Sequence, residues 1–253
     1  MNLRLIEEIA LNSWPSLQQM FFDGWILRFS KGYTKRANSV NALYPGDLQV
    51  TEKVKTCEQI YATQGLPPVF RLTSFNQPDE LDLILQKQGY QRLDLTSVQC
   101  LDLQNISVLT SAGFQIWDNR HLNEWLEVFS RLSGKSGAVN PVHRELLEHI
   151  PSPKILTVLR REEQIVSCAL VVKEGDYLGL FDMVTGASSR NQGNGKKLLS
   201  SILKWGKQEG AHYAYLQVVN TNKPAMQLYA QFGYQEIYHY WYRVQDQHDF
   251  PEA

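Results

Sequence analysis

The chain has 253 residues, 43% of them hydrophobic and 20% charged, with a formal net charge of −1, which suits one large globular domain or two small ones. No long basic run is present to make a large nucleic-acid footprint, and no stretch reaches the ~18 apolar residues of a membrane span. The three cysteines, Cys57, Cys100 and Cys168, form no C-x-x-C pair, and the opening MNLRLIEEIALNSW carries acids unlike a signal peptide, so a cytoplasmic protein with reduced thiols and no metal is expected.

Along the first half, Trp25 to Leu43 reads as strand, hairpin and strand. Within it, Gly32 to Ser39 (GYTKRANS) is an unusually polar strand. It is either an exposed hairpin or the wall of an acceptor pocket, with Arg28 and Arg36 reading an acidic substrate. Tyr44-Pro45-Gly46-Asp47 is a turn. Thr51 to Gln64 is a helix-like run stopped by Gly65. Leu85 to Gln91 (LQKQGYQ) ends a further helix and enters a strand. The stretch Gln104 to Gly113 (QNISVLTSAG) is small and polar, and is expected to separate two domains, 1–104 and 113–253.

The second half starts with a short strand, Phe114 to Trp117. A helix follows from Leu122 to Leu132, where Leu122, Trp125, Leu126 and Phe129 recur at helical spacing. Ser133 to Asn140 is a loop, and Pro141 to Ile150 a helix opened by its proline. On that helix His143 and His149 flank Glu145 and Glu148, which reads as a solvated face. Lys154 to Arg161 and Ile165 to Lys173 are strands, and Gly175-Asp176 turns the chain into another, Tyr177 to Val184. Lys196 to Gln208 is an amphipathic helix with Leu198, Leu199, Ile202, Leu203 and Gly206 on one stripe, stopped at Gly210. Ala214 to Val219 and Ile237 to Val244 are strands, the last crowded with aromatic side chains that could serve an interface.

Between the strand ending at Val184 and the helix starting at Lys196 lies Arg190-Asn191-Gln192-Gly193-Asn194-Gly195. A strand, a glycine-bearing turn and a helix together grip phosphate: the free N–H groups of the first helical turn point at the anion and the peptide dipoles add positive charge. Glycine allows close approach and positive φ. The spacing is neither that of a P-loop nor that of a dinucleotide fingerprint.

Arg-x-x-Gly-x-Gly at a strand-to-helix junction resembles the acyl-CoA pyrophosphate loop of the GNAT superfamily of N-acyltransferases. Asn220 then ends the next strand, and Ala225, Leu228, Tyr229, Gly233 and Tyr234 fit that superfamily's A-x-x-L-Y-x-x-x-G-[FY] helix. The match covers about Phe114 to Val244. The resemblance implies an α/β fold with a mixed sheet, and acetyl-CoA as acyl donor. It implies that backbone N–H groups from Gln192 through Gly193, Asn194 and Gly195 to Lys196 hold the pyrophosphate, in a loop that includes Asn191 and is shaped by Arg190. Lys196 and Lys197 either meet the terminal phosphate or are solvated helix charges. Met183, Val184 and Thr185 would border the pantetheine arm, with Asn220 as a side-chain contact to it. Tyr229 stands where many such enzymes carry a tyrosine as general acid; the alternative is a helix aromatic packed on the sheet. Asp182 is the best candidate base, a lone carboxylate in an apolar run whose burial should raise its pKa. It is otherwise a structural acid, since a water chain can do the same work.

The first half repeats this pattern. Gly-Tyr-Gln occurs at 89–91 and 233–235, an offset of 144, and Gly65 and Gly210 are 145 apart. A near-constant offset suggests duplication, hence two GNAT-like halves in tandem. The first copy lacks the phosphate loop, with Asp47 near the place an anion would occupy, so acyl-CoA is expected only in the second. The expected activity is transfer of acetyl from acetyl-CoA to the primary amine of a small molecule or peptide. The alternatives are a non-catalytic acyl-CoA sensor, an aminoacyl-tRNA-dependent transferase, and an enzyme using an oxygen acceptor or longer acyl chains.

Overall fold

The computed structural model describes residues 1–134 and 139–245. In chain order the first half contains α1 (Leu3–Ser13), β1 (Gln18–Phe22), β2 (Trp25–Phe29), β3 (Val40–Asn41), α2 (Val50–Thr63), β4 (Val69–Thr73), α3 (Leu81–Lys87) and β5 (Gln91–Asp102). The second contains β6 (Phe114–Trp117), α4 (Leu122–Ser133), α5 (Pro141–Glu148), β7 (Lys154–Arg161), β8 (Gln164–Glu174), β9 (Tyr177–Thr185), α6 (Asn194–Gln208), β10 (Tyr213–Val219), α7 (Lys223–Phe232) and β11 (Gln235–Val244). The fold is α/β with one mixed sheet. The expected duplication reappears in the spacing of elements: α2 and α6, β4 and β10, and β5 and β11 start 144 residues apart.

All eleven strands form a single sheet in the order β1-β2-β3-β4-β11-β5-β10-β9-β8-β7-β6. The last strands of the two halves are exchanged. β5 pairs antiparallel with β10, β11 pairs antiparallel with β4, and β5 and β11 pair with each other at the centre. The aromatic final strand is therefore interior to the sheet, and most of its residues from Tyr238 to Val244 are buried. It joins the two halves instead of offering a free surface.

Alternation along β8 shows how the sheet is covered. Ile165, Cys168, Leu170 and Val172 join the core beneath α1, α4 and α5. Val166, Ala169 and Val171 join the core beneath α6 and α7. A strand buried on both faces reads as a continuous apolar run. A third core of Trp25, Leu27, Phe70, Leu72, Val54, Tyr61 and Leu85 lies under α2 and α3.

α1 also carries a buried ion pair. Both Glu7 and Arg71 have side chains only 1% exposed. Arg71 Nη1 donates to Glu7 Oε1, and Arg71 Nη2 donates to Glu7 Oε2 at 3.2 Å. Tyr238 donates to Glu7 Oε2 at 2.7 Å. The Arg71 guanidinium also lies 3.7 Å from the centroid of the Tyr240 ring. One carboxylate thus ties α1 to β4 and to the exchanged strand β11.

Two expectations about the first half are corrected. Gly32 to Ser39 is a turn followed by a short 3-10 helix at Lys35–Ala37, not a strand. Side chains take over the backbone partners there: Asn38 Oδ1 accepts from Ser30 N and Gly32 N, and its Nδ2 donates to Thr34 O. Arg28 does not face an acceptor, because it is 1% exposed and its guanidinium donates to the carbonyls of Leu11, Trp14 and Arg36. At the N-terminal end of α2, where α6 has its glycine loop, the Asp23 carboxylate accepts from Asp47 N at 2.9 Å and Leu48 N at 3.0 Å, with Lys53 Nζ at 3.0 Å. These bonds, led by that from Asp47, lower the pKa of Asp23 to about 2.

All three cysteines are free and buried. Burial raises Cys57 to about 12 and Cys100 to about 11, and holds Cys168 well above the ordinary thiol value. Raised thiol pKa values leave the neutral, unreactive form at pH 8. Native protein treated with a disulfide reagent should release far less than one equivalent within minutes and three after denaturation. Rapid modification of the native protein would contradict this burial.

Among the described residues no helix is long and apolar enough to cross a membrane, and no cluster of side chains is arranged to hold a metal ion.

Candidate active site

The site begins where two parallel strands part. β9 and β10 pair from Tyr177 and Tyr213 to Leu180 and Leu216, and no further. β10 continues to Val219 against β5. β9 continues to Thr185 against β8, with a register shift that sets Asp182 and Met183 opposite Ala169. Asp182 has φ of +47°, a left-handed residue of the kind that bulges a strand and increases its bend. The bulge separates 181–185 from β10 and leaves that edge unpaired. The cleft so formed has a volume of about 390 Å³, with Asp182, Met183, Val184, Gln217, Asn222 and Tyr229 among its lining residues.

At one end of β9 lies the glycine loop. Arg190 Nε donates to Thr185 O at 3.1 Å, Asn194 Nδ2 to Ser189 O at 2.9 Å, and Gln192 Nε2 to Ser188 O at 3.0 Å. These side chains fold the loop on itself. Asn191 and Gly193 have φ of +58° and +76°. A Cβ on Gly193 would meet nothing within 4 Å, so backbone conformation and not crowding calls for glycine there. A Cβ on Gly195 would lie 3.4 Å from Leu228, 3.5 Å from Thr185 and 3.9 Å from Met183, against the wall of the cleft. The first helical bond of α6 runs from Lys197 N to Gly193 O, so the N–H groups of Asn194, Gly195 and Lys196 precede the helical ladder. Lys196 and Lys197 are exposed beside a second cleft of about 490 Å³ that also borders Ile106 to Leu109.

Across the first cleft, Tyr229 is 8% exposed and its hydroxyl lies 3.9 Å from Met183 Sδ. Burial raises its phenol to about 12. Asn220 follows β10 and has a buried Oδ1 with no partner among the described residues. The Asp182 side chain is 6% exposed and its Oδ2 is 2.8 Å from His143 Nε2.

His143 was expected on a solvated face, and this is the largest correction at the site. It is 4% exposed, enclosed by the rings of Trp14, Tyr33 and Phe129. The signal was present, since His143, Leu146, Leu147 and Ile150 fall at i, i+3, i+4 and i+7 and all are buried. Arg36 of the first half also lines the cleft. Of the loop expected from Ser133 to Asn140, Ser133 ends α4 and lines the cleft, while Lys135, Ser136 and Gly137 lie outside the described residues.

Comparison with known proteins agrees with this geometry. Residues 1–243 match the family described as "Probable histone acetyltransferase Rv0428c C-terminal". The chain belongs to this family, within the GNAT superfamily. A protein of Bacillus subtilis (strain 168), described as an uncharacterized N-acetyltransferase, YobR, is 29% identical over 250 residues, covering 96% of this chain and 98% of its own. A GCN5-related N-acetyltransferase from Kribbella flavida superposes with a TM-score of 0.73 at 16% identity, over 98% of this chain and 96% of that one. A tandem GNAT protein from the clavulanic acid biosynthesis pathway gives 0.61 at 12% identity, over 83% and 76%.

The protein is thus an acyl-CoA-dependent acetyltransferase of GNAT type. The order from β6 to β11 is the one expected from the GNAT resemblance, with β5 standing beside β10. The donor's chemistry fits these residues. A diphosphate suits unladdered N–H groups at the start of a 15-residue helix, and an amide-bearing arm suits the unpaired edge of β9.

Proposed function

We propose that the enzyme transfers acetyl from acetyl-CoA to a primary amine by direct attack, with both substrates bound together. The observation that carries this reading is the cleft between β9 and β10, which is lined by Arg190 of the glycine loop, Tyr229 and Asp182. The N–H groups of Gln192, Gly193, Asn194, Gly195 and Lys196 hold the diphosphate, with Asn191 and Arg190 shaping the loop. Met183, Val184 and Thr185 offer backbone groups to the pantetheine arm, and Asn220 its side chain. Bound acetyl-CoA supplies a thioester carbonyl open to an amine and a thiolate to be displaced.

The enzyme's own groups align the amine and manage two protons. Asp182 accepts a proton from the amine nitrogen, while His143 holds the carboxylate in place from behind. Tyr229 donates its phenolic proton to the sulfur as the carbon–sulfur bond breaks. The burial that raises this phenol also raises the basicity of a thiolate formed beside it, so donor and acceptor stay matched. In the same reading residues 113–253 bind the donor, and residues 1–104 complete the acceptor side.

Tyr229→Phe should lower kcat roughly 100-fold and leave the KM for acetyl-CoA within about threefold. Because the acid form is required and persists below its raised pKa, wild-type kcat should show no alkaline fall from this group below about pH 11. Free-thiol release across an amine panel measures both. A kcat within threefold of wild type would remove Tyr229 from the mechanism. Acetyl-CoA binding without thiol release from any amine would favour a non-catalytic sensor.

A further inference from the structure

We infer that the amine acceptor also carries a carboxylate, and that Arg36 binds it; this rests on the acetyl transfer proposed above. The described residues that line the cleft include two cations, Arg36 and Arg190, and one anion, Asp182. Arg190 belongs to the glycine loop at the donor end. Arg36 comes from the first half, on the short helix Lys35–Ala37, and is therefore the cation available to the acceptor.

Its position is built. The buried Arg28 guanidinium donates to Arg36 O at 3.0 Å and also holds the carbonyls of Leu11 and Trp14. That clamp fixes the backbone from which the Arg36 side chain extends. The Arg36 guanidinium lies 5.7 Å from the centroid of the Trp14 ring.

Arg71 is paired with Glu7 and Arg243 with Asp82, and the buried Arg28 is held by three backbone carbonyls. No such ion pair is made by Arg36 among the described residues, and its Nε is buried without a partner. Asp182 lies near enough to act on Arg36 electrostatically, but its Oδ2 is engaged by His143. A half-buried guanidinium on the wall of the cleft, with no carboxylate of its own among the described residues, is a fork for a planar anion. An acceptor with a carboxylate on Arg36 and its amine toward Asp182 would satisfy both groups. Amino acids have that chemistry, whereas a lysine side chain within a protein does not carry a carboxylate close to its amine.

The test compares amino acids with their amides as acceptors, following thiol release by wild type, Arg36→Gln and Arg36→Lys, with acetyl-CoA affinity measured by calorimetry. Wild type should favour the free acid over its amide roughly 10- to 100-fold in kcat/KM, the worth of a hydrogen-bonded charge. Arg36→Gln should bring that ratio close to one, chiefly through KM for the acid, and Arg36→Lys should retain part of it. Equal use of acids and amides by wild type would overturn the inference while leaving acetyl transfer standing. So would an undiminished preference in Arg36→Gln. Acetyl-CoA binding with no amine consumed would overturn both readings together.

Discussion

Gly195→Glu should bind acetyl-CoA at least 100-fold more weakly than wild type, a loss of about 2.7 kcal/mol, with no loss of melting temperature. Gly195 sits in the first turn of α6, and its missing Cβ faces Thr185, Met183 and Leu228. A carboxylate there would bring negative charge to the N–H groups proposed to hold the diphosphate, which would then meet both repulsion and a filled cradle. The same charge favours the helix itself, because an acidic side chain in the first turn complements the macrodipole. Gly195 is also not among the positive-φ residues, so a side chain brings no backbone strain. Gly193→Ala differs in this respect: its left-handed conformation with open surroundings makes stability the first casualty, by about 1 kcal/mol. Calorimetric titration with acetyl-CoA and thermal unfolding of the same samples separate binding from folding. Unchanged affinity in Gly195→Glu would place the diphosphate elsewhere.

Glu7→Ala should destabilise the protein by about 3–5 kcal/mol, because it strands a buried guanidinium. Arg71 is 1% exposed, and in the variant its charge would keep the Tyr240 ring face but lose its carboxylate. At this chain length the loss corresponds to a fall in melting temperature of roughly 10 °C. Replacing both partners, as Glu7→Leu with Arg71→Met, should recover most of it, since an apolar pair of similar volume avoids the desolvation penalty. A cost below ~1 kcal/mol for Glu7→Ala would contradict the buried pairing of α1 with β4 and β11.

The order of elements from β6 to β11 was legible because each signal is local. Proline opens α5, glycines with positive φ stop α2, α3, α6 and α7, and apolar residues recur at the period of each element. The candidate donor loop was legible for the same reason, lying within six consecutive residues. The duplication was legible from glycines alone, and the structure extends it to whole elements. The errors occurred where a pattern shows that a face is buried but not what lies beneath it. The strand expected at Gly32 to Ser39 gives way to a turn because the Asn38 side chain bonds the backbone on both sides of it. His143 was placed in solvent by its acidic neighbours, although its apolar stripe pointed inward.

The order of helices and strands, the glycine conformations and the position of the glycine loop follow from the chain itself, since residues a few positions apart decide them. Tertiary structure alone decided the exchange of β5 and β11, the Glu7–Arg71 pair, the approach of His143 to Asp182, and the entry of Arg36 into a cleft built mainly by the other half. Each of these joins residues that are 39 to more than 140 positions apart. Their pairing depends on which apolar faces can be buried together, and the periodicity of a single segment carries no record of its partner.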